Sequence, residues 1–178
     1  LTGFQHKEVT MEEIVEKLRM FRVTKDAIVL LYNWAFDQHD VERFYLTEII
    51  CESVSRNVIM LRDLLDALKE TIELAQDLVC DLPLVYSYIG QLLALPLVRR
   101  VVHFKDVLEI YKPQLESNGA RILKNVLKVI EQKHDKEILS KLYNESNFDF
   151  QQFLEHDSLP LNEFMKENVR FLLDLLQI

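Results

Sequence analysis

Glycine and proline are scarce in this sequence, three and four among 178 residues. Tight hairpin turns lean on glycine, so a sheet of many short strands is excluded. A phosphate cradle is excluded as well, because Gly3, Gly90 and Gly119 stand alone and none opens a glycine-rich loop. Only two cysteines occur, Cys51 and Cys80, in apolar helical contexts without metal spacing, and they read as free buried thiols in a reducing compartment. The histidines His6, His39, His103, His134 and His156 are scattered, with no HExxH and no Cys/His cluster at ligand spacing. No metal and no cofactor is therefore expected. Carboxylate pairs such as Glu12/Glu13 and Asp63/Asp66 have the composition of an acid–base couple but sit on solvated helix faces. The chain is not expected to be an enzyme.

What remains is apolar and helical. Hydrophobic residues make up 49% of the chain, enough for a sizeable core in one domain or a compact array of helix pairs. Leu, Ile, Glu and Lys recur at helical spacing, and the fold class is all-α. The net charge of −8 favours a basic protein partner over a nucleic-acid backbone. The uncharged run Leu82–Val98 is interrupted by Pro83, Ser87, Gln91 and Pro96 and falls short of the ~20 apolar residues of a membrane span, so it reads as a buried helix. The start, LTGFQHKEVT, is polar and mixed, without a secretory or transit signal, and a chain beginning at Leu1 reads as a fragment of a larger cytoplasmic protein.

Taken in order, the chain predicts a succession of helices. Thr10 can cap Met11 to about Phe21, with Glu12 and Glu13 in the first turn and Ile14, Val15 and Leu18 inward. Thr24 starts a second helix with Ala27, Ile28, Leu31, Trp34 and Ala35 as its buried stripe. DQHD is a turn, and Asp40 can cap Val41–Val54, with Phe44, Tyr45, Ile49 and Val54 facing back. After a break at SVSRN comes Val58–Leu78, then Pro83–Leu95, then Phe104–Ile110 stopped by Pro113. Ser117-Asn118-Gly119 reads as a turn before Ala120–Gln132, which buries Ile122, Leu123, Val126, Leu127 and Ile130. Asp135 starts Lys136–Asn144, Asp149 a short turn through Leu154, and Ser158 with Pro160 a last helix Leu161–Leu176. Short links between successive helices predict antiparallel hairpins stacked as an α-solenoid, a single domain over residues 1–178, with Trp34, Leu65, Val85, Ile89, Leu123 and Leu127 in its core.

Two carboxylates, Asp77 and Asp81, stand four residues apart at the turn before the most apolar run. Asp81 has a local role available, capping the next helix with Pro83 in the first turn. Asp77 has none. In the last turn of its own helix it faces the negative end of the macrodipole, which costs on the order of 0.3–1 kcal/mol at an exposed site. A residue disfavoured by its own helix points to something outside the chain. A weaker nucleic-acid signal comes from Arg121, Lys124 and Lys128, which share one helix face near which Arg99-Arg100 is expected to lie. No glycine–aromatic RNA motif accompanies them, so RNA binding by this domain should be weak or absent.

The order ELAQD, three residues, then DLPLVYSYIGQLL closely resembles the acidic-pair and proline signature of the second HEAT-type helical domain of eukaryotic translation initiation factor 4-gamma. The resemblance continues through VLEIYKPQLESNGARILKNVLKVI, DFQQFLEH and LNEFMKENVRFLL, while VTKDAIVLLYNWA is similar to the family's opening hairpin, so about Thr24 to Leu173 is covered. Programmed cell death protein 4 and the death-associated 4-gamma paralogue carry the same domain. The resemblance implies a monomeric docking module, without cofactor, for initiation factor 4A, the DEAD-box RNA helicase. It carries the family's helicase-contacting pair onto Asp77 and Asp81, with Pro83 shaping the turn. The paralogue lacks part of this acidic signature and illustrates the alternative, a purely architectural solenoid segment without helicase contact, so both aspartates favour the helicase-binding branch. In one place the chain departs from the family pattern: where another helix with a small-residue turn is usual before Leu61, only SVSRNVIM is found.

Overall fold

The computed structural model describes residues 9–111, 115–146, 148–154 and 159–169. Those residues are 78% helical and contain no strand. The helices among them are α1 (Met11–Arg19), α2 (Lys25–Phe36), α3 (Asp40–Ser55), α4 (Leu61–Leu78), α5 (Val85–Val98), α6 (Phe104–Tyr111), α7 (Leu115–His134), α8 (Lys136–Ser146) and α9 (Leu161–Asn168), with a 3-10 turn at Phe150–Phe153. Pro113, Ser158 and the stretch 170–176 lie outside the described residues.

The helices form two layers. Along the chain α1 packs on α3, α3 on α5 and α5 on α7, while α2 packs on α4 and α4 on α6. Residue pairs across these contacts show the direction of packing. Arg43 and Glu48 of α3 meet Gln91, midway along α5, and Arg99, just past its end, and Tyr86 and Gly90 of α5 meet Arg121 and Asn125 of α7. Numbers rise together on both sides, so α3, α5 and α7 run parallel. Successive helices of one layer can run parallel only if the chain returns through the other layer between them. That is the two-layer stack of a solenoid, in which each pair buries its apolar face on the next. The core runs through both layers, from Ile28 and Tyr32 through Leu64, Leu68 and Ile72 to Ile89, Leu92, Leu123 and Leu127, all buried.

Local chemistry explains the helix ends. Thr10 forms a full capping box with Glu13: the Thr10 hydroxyl accepts from the Glu13 N–H at 3.2 Å and the Glu13 carboxylate from the Thr10 N–H at 3.0 Å. With glycine scarce, left-handed helix stops fall to other residues. Asn57 (φ 56°) ends α3, with its N–H bonded to Val54 O and the Val58 N–H to Ser53 O; Arg100 (φ 58°) ends α5 in the same pattern through Leu97 O and Pro96 O. The link SVSRNVIM is thus a compact helix stop that passes directly into α4.

Several expectations are corrected. α1 ends at Arg19 and leaves Met20 and Phe21 exposed. α2 buries Ile28, Val29, Tyr32, Ala35 and Phe36, so its inward stripe is turned by one residue and Trp34, like Leu65, is only half-buried. Asp40 does not cap α3; it is the first helical residue, and its carboxylate accepts from Arg43 Nη2 at 2.6 Å. On α3 the inward face holds Arg43, Leu46, Ile50 and Cys51 beside Ile49, while Tyr45 is exposed. α4 begins at Leu61, three residues later than expected. α5 runs past Pro96 to Val98, because a proline in the last turn removes one hydrogen bond and the Pro96 carbonyl still receives the closing N–H groups. Ser117-Asn118-Gly119 is no turn; α7 passes straight through it. Cys51 is buried as expected, its thiol pushed up to about 12 by desolvation, but Cys80 is exposed in the α4–α5 link.

Candidate partner-docking turn

The link between α4 and α5 is built from backbone bonds. The Asp81 and Leu82 N–H groups both donate to Leu78 O, at 3.1 and 2.7 Å, closing the end of α4. The Val85 N–H then donates to Leu82 O at 3.0 Å. Leu84, at φ −92° and ψ 4°, has the third-position geometry of a type I β-turn over Leu82–Val85, and Pro83 occupies the second position, where its fixed φ is favoured. Pro83 therefore shapes a separate turn ahead of the helix and does not sit in the first turn of α5. Asp81 does not cap α5 either. The residue preceding the helix is Leu84, which makes no side-chain capping bond, and the β-turn has moved the helix start too far along for Asp81 to reach it.

This construction frees both carboxylates. Asp77 lies on the last turn of α4 as the sequence predicts, with no basic residue in that turn. Asp77, Asp81 and Pro83 are all exposed, and among the described residues neither carboxylate makes a hydrogen bond or an ion pair. The turn also presents Leu84, which is 59% exposed. Sequence reasoning missed that leucine, although its place as third residue of a proline-led turn marks it as pointing away from the helix start.

The turn is anchored from behind. Phe36 at the end of α2 stacks on Tyr88 of α5, with ring centroids 6.2 Å apart. The guanidinium of Arg43, only 3% exposed, lies 3.9 Å over the other partner of that stack, Tyr88. Arg43 also donates to Gln91 Oε1 at 2.7 Å, to the Ala35 carbonyl at 3.2 Å and to the Gln38 carbonyl, so a buried cation closes the negative end of α2. Asp40 completes the network, accepting from Arg43 and, at 3.2 Å, from Gln91 Nε2; these bonds hold its carboxyl below the usual carboxylate range.

The basic residues fall in two places. Arg121 and Lys124 are exposed on α7 and Lys128 is half-buried, and none of the three ion-pairs among the described residues. Arg121 lies 4.4 Å over the Tyr86 ring, close to the acidic turn. Arg99 and Arg100 do not join that face. They sit at the opposite end of α5, about 20 Å away by helix rise, where Arg99 pairs with Glu48 and Arg100 with Glu145. Among the described residues no group of His, Cys, Asp or Glu could hold a metal ion, and no helix is long and apolar enough to cross a membrane. Compared with known proteins, the chain matches no family model and no curated protein sequence.

Proposed function

We propose that this chain is a protein–protein interaction module of a translation initiation scaffold, and that it docks the DEAD-box helicase initiation factor 4A through the α4–α5 turn. The observation that carries the reading is the state of Asp77 and Asp81: both exposed, both without a partner among the described residues, on a turn fixed by backbone bonds and Pro83. Unpaired carboxylates on a rigid support are prepared to accept arginine or lysine across an interface, where charge-assisted bonds are stronger than neutral ones. Exposed Leu84 supplies an apolar contact beside them. The all-helical solenoid and the resemblance around Asp77–Leu93 support the same reading, and the resemblance alone supplies the partner's name.

Initiation factor 4A should be retained by the immobilised chain and lost when Asp77 and Asp81 are both changed to Ala. Retention by the double variant would end the proposal. A second reading, RNA contact through Arg121, Lys124 and Lys128, is favoured only by the lack of carboxylate partners on that face among the described residues. Sub-micromolar binding of single-stranded RNA, abolished by Lys124→Glu with Lys128→Glu, would promote it.

A further inference from the structure

We propose that the cavity between the α5–α6 link and α8 is a second binding site, and that it takes a small apolar carboxylate, with the hydrocarbon inside and the carboxylate at the rim. The cavity measures about 360 Å³, at the small end of the range of ligand sites, roughly 300–1,000 Å³. Its apolar lining is Leu97, Val102, Phe104, Leu142 and Phe148. This lining is held in shape from behind, because the Phe150 ring packs on Phe104 at 4.7 Å and on Phe148 at 5.5 Å, and Phe153 packs on Phe148 at 5.7 Å.

The rim decides the charge of the ligand. Its two carboxylates are already engaged: Glu145 with Arg100, and Asp106 with the His103 N–H at 2.8 Å. Among the described residues the side chains of Lys105 and His103 have no partner, so the polar groups still free at the rim are an ammonium and an imidazole. The first residues of α6, Phe104 to Asp106, border the cavity too, bringing the positive end of that helix to the same place. The left-handed stop of α5 fixes the backbone of Arg100 at the rim, and its side chain pairs with Glu145. A carboxylate at the rim gains a charge-assisted contact from exposed Lys105, while a wholly ionic ligand would leave the aromatic lining wet. A chain of net charge −8 also repels highly charged anions, which favours a single carboxylate.

That chemistry is found in a free aryl or branched-alkyl acid and in the C-terminal residue of a polypeptide. The test is an amide-resolved NMR titration of the isotope-labelled chain with N-acetyl-phenylalanine, its carboxamide and 3-phenylpropanoate. The acid should shift the amides of Phe104, Lys105, Leu142 and Ser146 with a dissociation constant of about 1 mM or tighter, as befits a ligand of that size. The carboxamide should bind about fivefold more weakly or worse, and Lys105→Glu, an exposed change, should weaken the acid by a similar factor while leaving the carboxamide unaffected. If N-acetyl-phenylalanine is tighter than 3-phenylpropanoate, the site favours a chain terminus; if not, a free acid. Absence of shifts at those residues up to about 10 mM, or equal binding of acid and carboxamide, would overturn the proposal.

Discussion

Replacing Gly90 by Ala should destabilise the fold, although it puts a better helix former in a helix. Gly90 lies where α5 crosses α7, and a Cβ added there would stand 2.9 Å from both the carbonyl carbon and the Cβ of Asn125 and 3.1 Å from its carbonyl oxygen. Carbon atoms in contact prefer about 3.5–4.0 Å. Since the obstacle is backbone, no rotamer change relieves it, and the helices must separate by about half an ångström or more. Overpacking of this kind costs about 1–3 kcal/mol, against a helix-propensity gain of about 0.8–1.0 kcal/mol for leaving glycine. The obstacle is backbone and the neighbours Ile89, Leu93, Ile122 and Val126 are all buried, which puts the cost in the upper part of that range and the net loss at about 1–2 kcal/mol. In urea the midpoint should fall with an unchanged slope, and the melting temperature should drop by roughly 2–4 °C for each kcal/mol. A Gly90→Ala chain that melts at or above the parent would refute the reasoning, and with it the claim that this close approach sets the α5–α7 spacing.

Other substitutions test the details. Asn57→Ala should cost about 1 kcal/mol, because a side chain without local hydrogen bonding is strained at φ 56°, whereas Asn57→Gly should hold its stability in the same urea series. Tyr32→Phe should raise the melting temperature, since the Tyr32 hydroxyl is buried with no hydrogen-bond partner among the described residues and removing it relieves about 1 kcal/mol; a fall would show that the hydroxyl is satisfied. Asp40 has a folded-state pKa below its ordinary 3.8, chiefly through its bond from Arg43, so its contribution is complete at neutral pH and is lost as the pH falls below 3.8 through the depressed value. Acid titration followed by circular dichroism should therefore show Asp40→Asn less stable at pH 7 and converging on the parent in acid.

The helices were readable from apolar spacing because most are amphipathic: α4 and α7 carry one apolar face, and Leu123 and Leu127 are buried as the pattern predicts. On α2 the apolar spacing points one residue out of phase. The helix is apolar nearly all round, from Ala27 through Phe36 with Asn33 the one polar exception, so spacing could not fix which face turns inward, and contacts with α3 and α4 chose Tyr32 over Trp34. Arg43 was missed for a different reason. A charged residue becomes buried only where carbonyls from elsewhere converge, here those of Ala35 and Gln38, and no local pattern records that meeting. Ser117-Asn118-Gly119 has the composition of a breaker, but one glycine costs a helix only about 1 kcal/mol, which packing of the adjoining turns overcomes. At the candidate site the position of Asp77 on the last turn of α4 was readable, since it follows from where the apolar repeat ends. The freedom of Asp81 was not, because it depends on Pro83 and Leu84 forming a turn of their own.

The docking claim is tested most directly by calorimetric titration of initiation factor 4A with the Asp77→Ala chain, beside its thermal melt. Asp77 has no partner within the described residues and stands at the unfavourable end of α4, so the melting temperature should stay or rise slightly. Removing one member of a buried interfacial charge pair commonly costs about 2–5 kcal/mol, and less at a rim, so affinity should fall about tenfold or more. Asp81→Ala should behave in the same way, since Asp81 caps no helix here. An Asp77→Ala chain that binds the helicase as tightly as the parent would contradict the account, and the acidic turn would no longer be the docking site.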